Sequence, residues 1–131
     1  MRLIDTNVLL CHAIRPDRLP KKLQRELLNS TEAFAYSDIS LWEIAIKSSL
    51  GKSDFHVDPQ PIEHELNRQG FTQIPITSSH IFRTMQLPLH HKDPFDRLIV
   101  AQSLVLNIPL LTSDAKLTFY GDQIVHIKLS I

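Results

Sequence analysis

The chain has 131 residues, 43% apolar and 21% charged, enough for one domain with a core and unlike a disordered polypeptide. Fourteen basic and fourteen acidic side chains cancel, so no global field selects a nucleic acid or a membrane, and such contacts must come from a local patch. The lone Cys11 excludes an intrachain disulfide, Asp5 and Asn7 interrupt the first apolar run too early for a secretory leader, and no stretch nears the roughly 20 apolar residues of a membrane span. The expectation is one cytoplasmic domain over residues 1–131, without membrane contact.

Arg2–Ile4 predicts a short strand that stops at Asp5-Thr6-Asn7. Asn7–Ile14 and Pro20–Ser30 read as helices, the second with Leu23, Leu27 and Leu28 on one face. Ala33–Tyr36 is a second strand. Ser40–Leu50 is a helix in which Ser40 and Glu43 have the spacing of a capping box. Helices over Pro61–Gln69 and Thr77–Leu87 flank a strand at Phe71–Ile74. Asp93-Pro94 opens a long helix, Pro94–Leu106, because proline suits the first helical position. Strands at Pro109–Leu111 and Ile124–Ile127 complete the chain, the former ending at Thr112-Ser113-Asp114. Such alternation implies an α/β fold with a parallel sheet between helices, whose ligands bind beyond the carboxyl ends of the strands.

Four acids fall at that edge. Asp5 and Asp114 follow strands, and Glu43 and Asp96 are expected in the first turns of helices. Each has a structural alternative. Asp5 and Asp114 could cap the next helix, Glu43 could pair with Lys47, and Asp96 could answer the helix dipole. Asp93 reads as the N-cap of the long helix, with Arg97 within ion-pair reach. Taken together, four converging carboxylates would repel one another, and hard divalent cations such as Mg²⁺ or Mn²⁺ relieve that repulsion. Two such ions can also stabilise both oxygens of an in-line displacement at phosphorus.

The segments Leu3–Leu10, Ser40–Lys47, His91–Gln102 and Leu110–Asp114 resemble, in order and spacing, the motifs of PIN-domain ribonucleases, above all the VapC-like toxins of type II toxin–antitoxin pairs. The resemblance covers nearly the whole chain. It implies a three-layer fold with sheet order 3-2-1-4-5 and Mg²⁺-dependent endonucleolytic cleavage of RNA, with Mn²⁺ as a substitute. Water activated on the metal would leave 5′-phosphate and 3′-hydroxyl ends. It carries the metal-binding and catalytic acids onto Asp5, Glu43, Asp96 and Asp114, with Asp93 as an outer member. Asn7, Thr112 and Ser113 match polar positions that orient carboxylates or water. A cognate antitoxin and a homodimer are the implied protein partners.

Arg15, Arg18, Lys21, Lys22 and Arg25 concentrate positive charge against Asp17, either as a solvated helix face or as a track for an RNA backbone. The histidines suggest no metal motif, since His90 and His91 are adjacent and the others scattered. His91 and Lys92 read as an exposed loop. Trp42, Phe55, Phe71, Phe82, Phe95 and Phe119 are expected in the core. Two other functions remain open: a phosphotransfer domain using Asp5, although Asn7 stands where a phosphatase needs a second acid, and a silent binding module whose acids are only caps and ion pairs.

Overall fold

The computed structural model describes residues 1–51 and 55–130. Five strands, β1 (Arg2–Ile4), β2 (Phe34–Ser37), β3 (Thr72–Ile74), β4 (Leu110–Thr112) and β5 (Ile124–His126), form one parallel sheet in the order β3-β2-β1-β4-β5. The helices are α1 (Thr6–Ile14), α2 (Lys21–Asn29), α3 (Asp38–Ser49), α4 (Pro59–Gln69), α5 (Ser78–Thr84) and α6 (Pro94–Leu106), with short 3-10 turns at Pro16–Arg18, Thr31–Ala33 and Ala115–Tyr120. The expected α/β class and strand order are those observed. Among the described residues no helix is long and apolar enough to cross a membrane.

Strand alternation divides the core into two layers. Ile4, Phe34, Tyr36 and Leu111 point to one face, where they meet Val8, Leu9, Leu23, Leu27 and Leu66. Leu3, Ala35, Ile74 and Leu110 point to the other, against Ile99, Val100, Ala101 and Leu117. Because successive side chains of a strand leave on opposite sides, a three-residue strand can feed both layers. The central strands are therefore mostly apolar, as in sheets covered on both faces, with the buried hydroxyls of Ser37 and Thr112 at their carboxyl ends.

Several boundaries moved for local reasons. α3 begins at Asp38 and not at Ser40, because the Ser37 hydroxyl accepts from the Ile39 N–H at 3.0 Å and caps the helix straight out of β2. Glu43 consequently lies in the second turn, outside any capping box. α5 ends at Thr84, and Leu87 is buried in the turn that follows. Arg97 makes no ion pair with Asp93 among the described residues. It donates instead to the carbonyls of Thr84 and Pro88 and to the Tyr120 hydroxyl, tying the α5–α6 connection down. Of the aromatic residues expected in the core, Phe71 is buried, but Trp42, Phe82 and Phe119 are 52%, 63% and 69% exposed. Trp42 rests edge-on against Phe95, 5.0 Å between centroids, with its other side uncovered.

Sheet polarity brings the site together. β1 and β4 are neighbours, and from them the chain winds outward in opposite directions, so the switch point lies at their carboxyl ends. At the far side, Gly70 ends α4 with φ 96°, a left-handed conformation that lets the chain turn directly into β3. Gly70→Ala is expected to lower stability by about 1 kcal/mol in denaturant unfolding, because any side chain is strained at that φ.

Candidate metal centre

Asp5 is the single residue between β1 and α1. Its Oδ1 accepts the Val8 N–H at 2.9 Å and caps the helix, while Oδ2 accepts the Thr112 hydroxyl, at 2.6 Å, from the end of the adjacent β4. The carboxyl is 4% exposed. Burial raises it to about pH 6, and the Glu43 charge adds to that. Hydrogen bonds from Thr112 and from the Val8 and Ser113 backbone pull the other way. Thr112 thus holds Asp5 through its hydroxyl, and Ser113 through its backbone.

Glu43 is buried on α3. Its Oε1 lies 2.7 Å from Thr6 Oγ1, which is also within hydrogen-bond distance of Ser40 Oγ. Its Oε2 accepts from Lys47 Nζ at 2.5 Å, the expected i,i+4 pair. Partial burial works against the Lys47 ammonium, but Glu43 overrides it and raises its pKa, with Asp93 and Asp96 contributing. Lys47 is therefore a counter-ion to several acids and not to Glu43 alone.

Asp93 caps α6, its Oδ1 accepting from the N–H groups of Phe95 and Asp96. Asp96, in the first turn, projects toward the other acids. Burial raises its pKa to about 7; the charges of Asp93 and Glu43 follow, His91 opposes them, and Asp5 adds a smaller push. Asp114 follows β4 and caps the 3-10 turn through Oδ1, which accepts from the Lys116 N–H at 3.0 Å.

The loop before α6 brings in a residue that sequence reasoning set aside. His91 is not a free loop residue: its side chain is 20% exposed, and its Nε2 lies 3.0 Å from Asp114 Oδ2 and 3.6 Å from Asp96 Oδ2. Candidate ligand atoms of His91, Asp96 and Asp114 all lie within 4.8 Å of one another, so this His/Asp cluster can coordinate a divalent ion. His91, which the sequence linked to no metal motif, thus stands beside two of the acids. Its partner lies 23 residues away, which local spacing cannot reveal. The only sequence signal was position, two residues before an N-cap aspartate. Thr6 was also missed, between two residues that were singled out.

Asn7 is exposed and lines a cavity with Arg15 and Arg18 that none of the four acids lines. Arg15 pairs with Asp17 at 3.3 Å. Arg18, Lys21, Lys22 and Arg25 are exposed and enter no ion pair among the described residues.

A family model described as PIN domain matches residues 2–121. No curated protein matches the sequence. Among solved structures, the chain is similar to VapBC2 from Rickettsia felis bound to a DNA fragment from their promoter, with 18% identity and a TM-score of 0.67 over 95% of this chain and 96% of that one. It is similar to a toxin–antitoxin complex from Klebsiella pneumoniae, with 22% identity and a TM-score of 0.64 over 95% and 96% of the two chains. It is also similar to FitAcB from Neisseria gonorrhoeae, with 19% identity and a TM-score of 0.63 over 96% of each.

The raised carboxyls make stability depend on pH in a definite direction. The native state keeps protons on Asp5 up to about 6 and on Asp96 up to about 7, whereas the unfolded chain releases them near 3.8. Metal-free protein should therefore lose stability as pH rises from about 4 to about 7 on account of these groups. Asp96→Asn removes the larger share. Its melting temperature without metal should exceed that of the unsubstituted chain by several degrees at pH 8, on the order of 2 kcal/mol, and the gap should close toward pH 4.

Proposed function

Since the chain belongs to the PIN-domain family, we propose that it is a Mg²⁺-dependent endoribonuclease and the toxin of a toxin–antitoxin pair, acting as a single domain in the cytoplasm. One observation carries the reading: at the carboxyl edge of the sheet the charges of Glu43 and Asp5 both act on Asp96, and ligand atoms of Asp96 and Asp114 lie within 4.8 Å of one another. The oxygen donors suit a hard divalent ion. Asp5, Glu43, Asp96 and Asp114 would hold it, with Asp93 at the outside. Bound there, the ion supplies charge neutralisation at phosphate and acidifies water for attack on phosphorus.

The chain's own groups prepare that chemistry. Thr112 and the Val8 N–H fix Asp5 through both oxygens, and Thr6 and Lys47 do the same for Glu43. Lys47 keeps the cluster from carrying its full negative charge toward an incoming phosphate. Arg18, Lys21, Lys22 and Arg25, exposed and in no ion pair among the described residues, would follow an RNA backbone, with Arg15 beside them. One of the similar structures, from Klebsiella pneumoniae, is a toxin–antitoxin complex, which supports a cognate antitoxin as partner. The exposed Trp42, Ile81, Phe82 and Met85 support a homodimer that covers them. A phosphotransfer role for Asp5 has no comparable support, since Asn7, standing where a phosphatase needs its second acid, is an exposed amide on α1.

The test is cleavage of end-labelled RNA with Mg²⁺ and after chelation. Cleavage should require the metal, leave 5′-phosphate ends, and fall about a hundredfold or more in Asp96→Asn, the scale on which a preorganised charged group shows. Products with 2′,3′-cyclic phosphate, or equal activity after chelation, would reject the mechanism. Reversing Lys21 and Lys22 to Glu should weaken RNA binding and flatten its salt dependence, with affinity read at two or more salt concentrations.

A further inference from the structure

A histidine within reach of two metal-binding carboxylates can serve in either of two ways, as a nitrogen ligand or as an N–H donor that holds a ligand in place. The ring of His91 is oriented from both ends. Its Nδ1 faces the backbone N–H of Asp93 at 3.1 Å. A backbone amide can only donate, so Nδ1 must present its lone pair, and the ring proton resides on Nε2. That proton points at Asp114 Oδ2, 3.0 Å away, with Asp96 Oδ2 at 3.6 Å. A metal-ligating histidine has the opposite arrangement, a bare nitrogen toward the ion and an N–H toward a carbonyl or carboxylate behind it. For Nε2 to bind an ion, the proton would have to move to Nδ1 and there oppose the Asp93 amide.

Resting on the metal-dependent reading above, we propose that His91 is a positioning residue: its Nε2–H holds Asp114 toward the site, and the ion is bound by oxygen alone. The surroundings fit that role. The backbone N–H of His91 donates to the Tyr120 hydroxyl at 3.1 Å, and Arg97 Nη1 reaches the same oxygen at 3.2 Å. Asp93 holds the ring and Tyr120 the backbone, so the donor has little freedom to turn. Asp114 in turn receives one N–H on each oxygen, from Lys116 on Oδ1 and from His91 on Oδ2. Each oxygen keeps a further lone pair for a cation. An all-oxygen site remains suited to Mg²⁺, whereas an imidazole ligand would tilt it toward softer transition ions.

Mn²⁺ reports on the two roles directly, because pulsed electron paramagnetic resonance detects a coordinated imidazole nitrogen through its hyperfine coupling. The unsubstituted chain loaded with Mn²⁺ should give no directly coordinated ¹⁴N signal. Mn²⁺ affinity by calorimetry should fall about tenfold or more in His91→Ala, the scale on which groups supporting a ligand act. It should largely recover in His91→Gln, which restores an N–H donor at similar reach. A strong ¹⁴N coupling that disappears in His91→Gln would overturn the proposal while leaving the metal-dependent reading intact. So would unchanged affinity in His91→Ala, once circular dichroism shows that it is folded. If the unsubstituted chain binds no Mn²⁺ with or without an RNA oligonucleotide, this proposal and the metal-dependent reading fall together.

Discussion

The hydrogen bond from Thr112 to Asp5 joins two residues 107 apart, at the junction where the order of the strands reverses. It places a buried carboxyl between β1 and β4 while the other oxygen of that carboxyl starts α1. Sheet, first helix and acid cluster therefore share one side chain. An unpaired carboxyl in that position would be costly, and the hydroxyl together with the Val8 and Ser113 amides offsets only part of the burial. What remains is an acid held in one geometry and still short of positive charge.

That imbalance is distributed around the cluster. Lys47 reaches Glu43 from one turn further along α3 and also answers Asp93 and Asp96. The Asp93 carboxylate accepts two amides at the start of α6. Around Asp96, burial and the neighbouring acids outweigh His91, and its carboxyl is pushed up to about 7. The five acids are thus not equivalent. Their environments divide them into those engaged in holding backbone and those left facing the centre.

Much of this was legible from the chain alone. The strand β1 and the helix α6 fall at the residues expected, since an apolar run ending in Asp-Thr-Asn and a proline at the first helical position leave little freedom. The strand order followed from the family resemblance. The start of α3 was misread because Ser37 and Ser40 are both acceptable caps, and only the path of β2 into the helix chooses between them. Trp42 was misread because an apolar sequence does not say how many neighbours a helix has; α3 leaves that face uncovered. His91 was missed because its meaning lies in contacts with Asp114 and with a backbone amide, neither of which has a sequence spacing to recognise.

The acids at the sheet edge also differ in how replaceable they are. Asp5, Asp93 and Asp114 each begin a helix or a 3-10 turn, so a substitution there disturbs the shape of the molecule as well as its charge. Glu43 and Asp96 begin nothing. Under the metal-dependent reading, replacing either of these two removes charge from the site while every cap stays in place. The caps tie the shape of the molecule to three of its acids and leave the other two free of it.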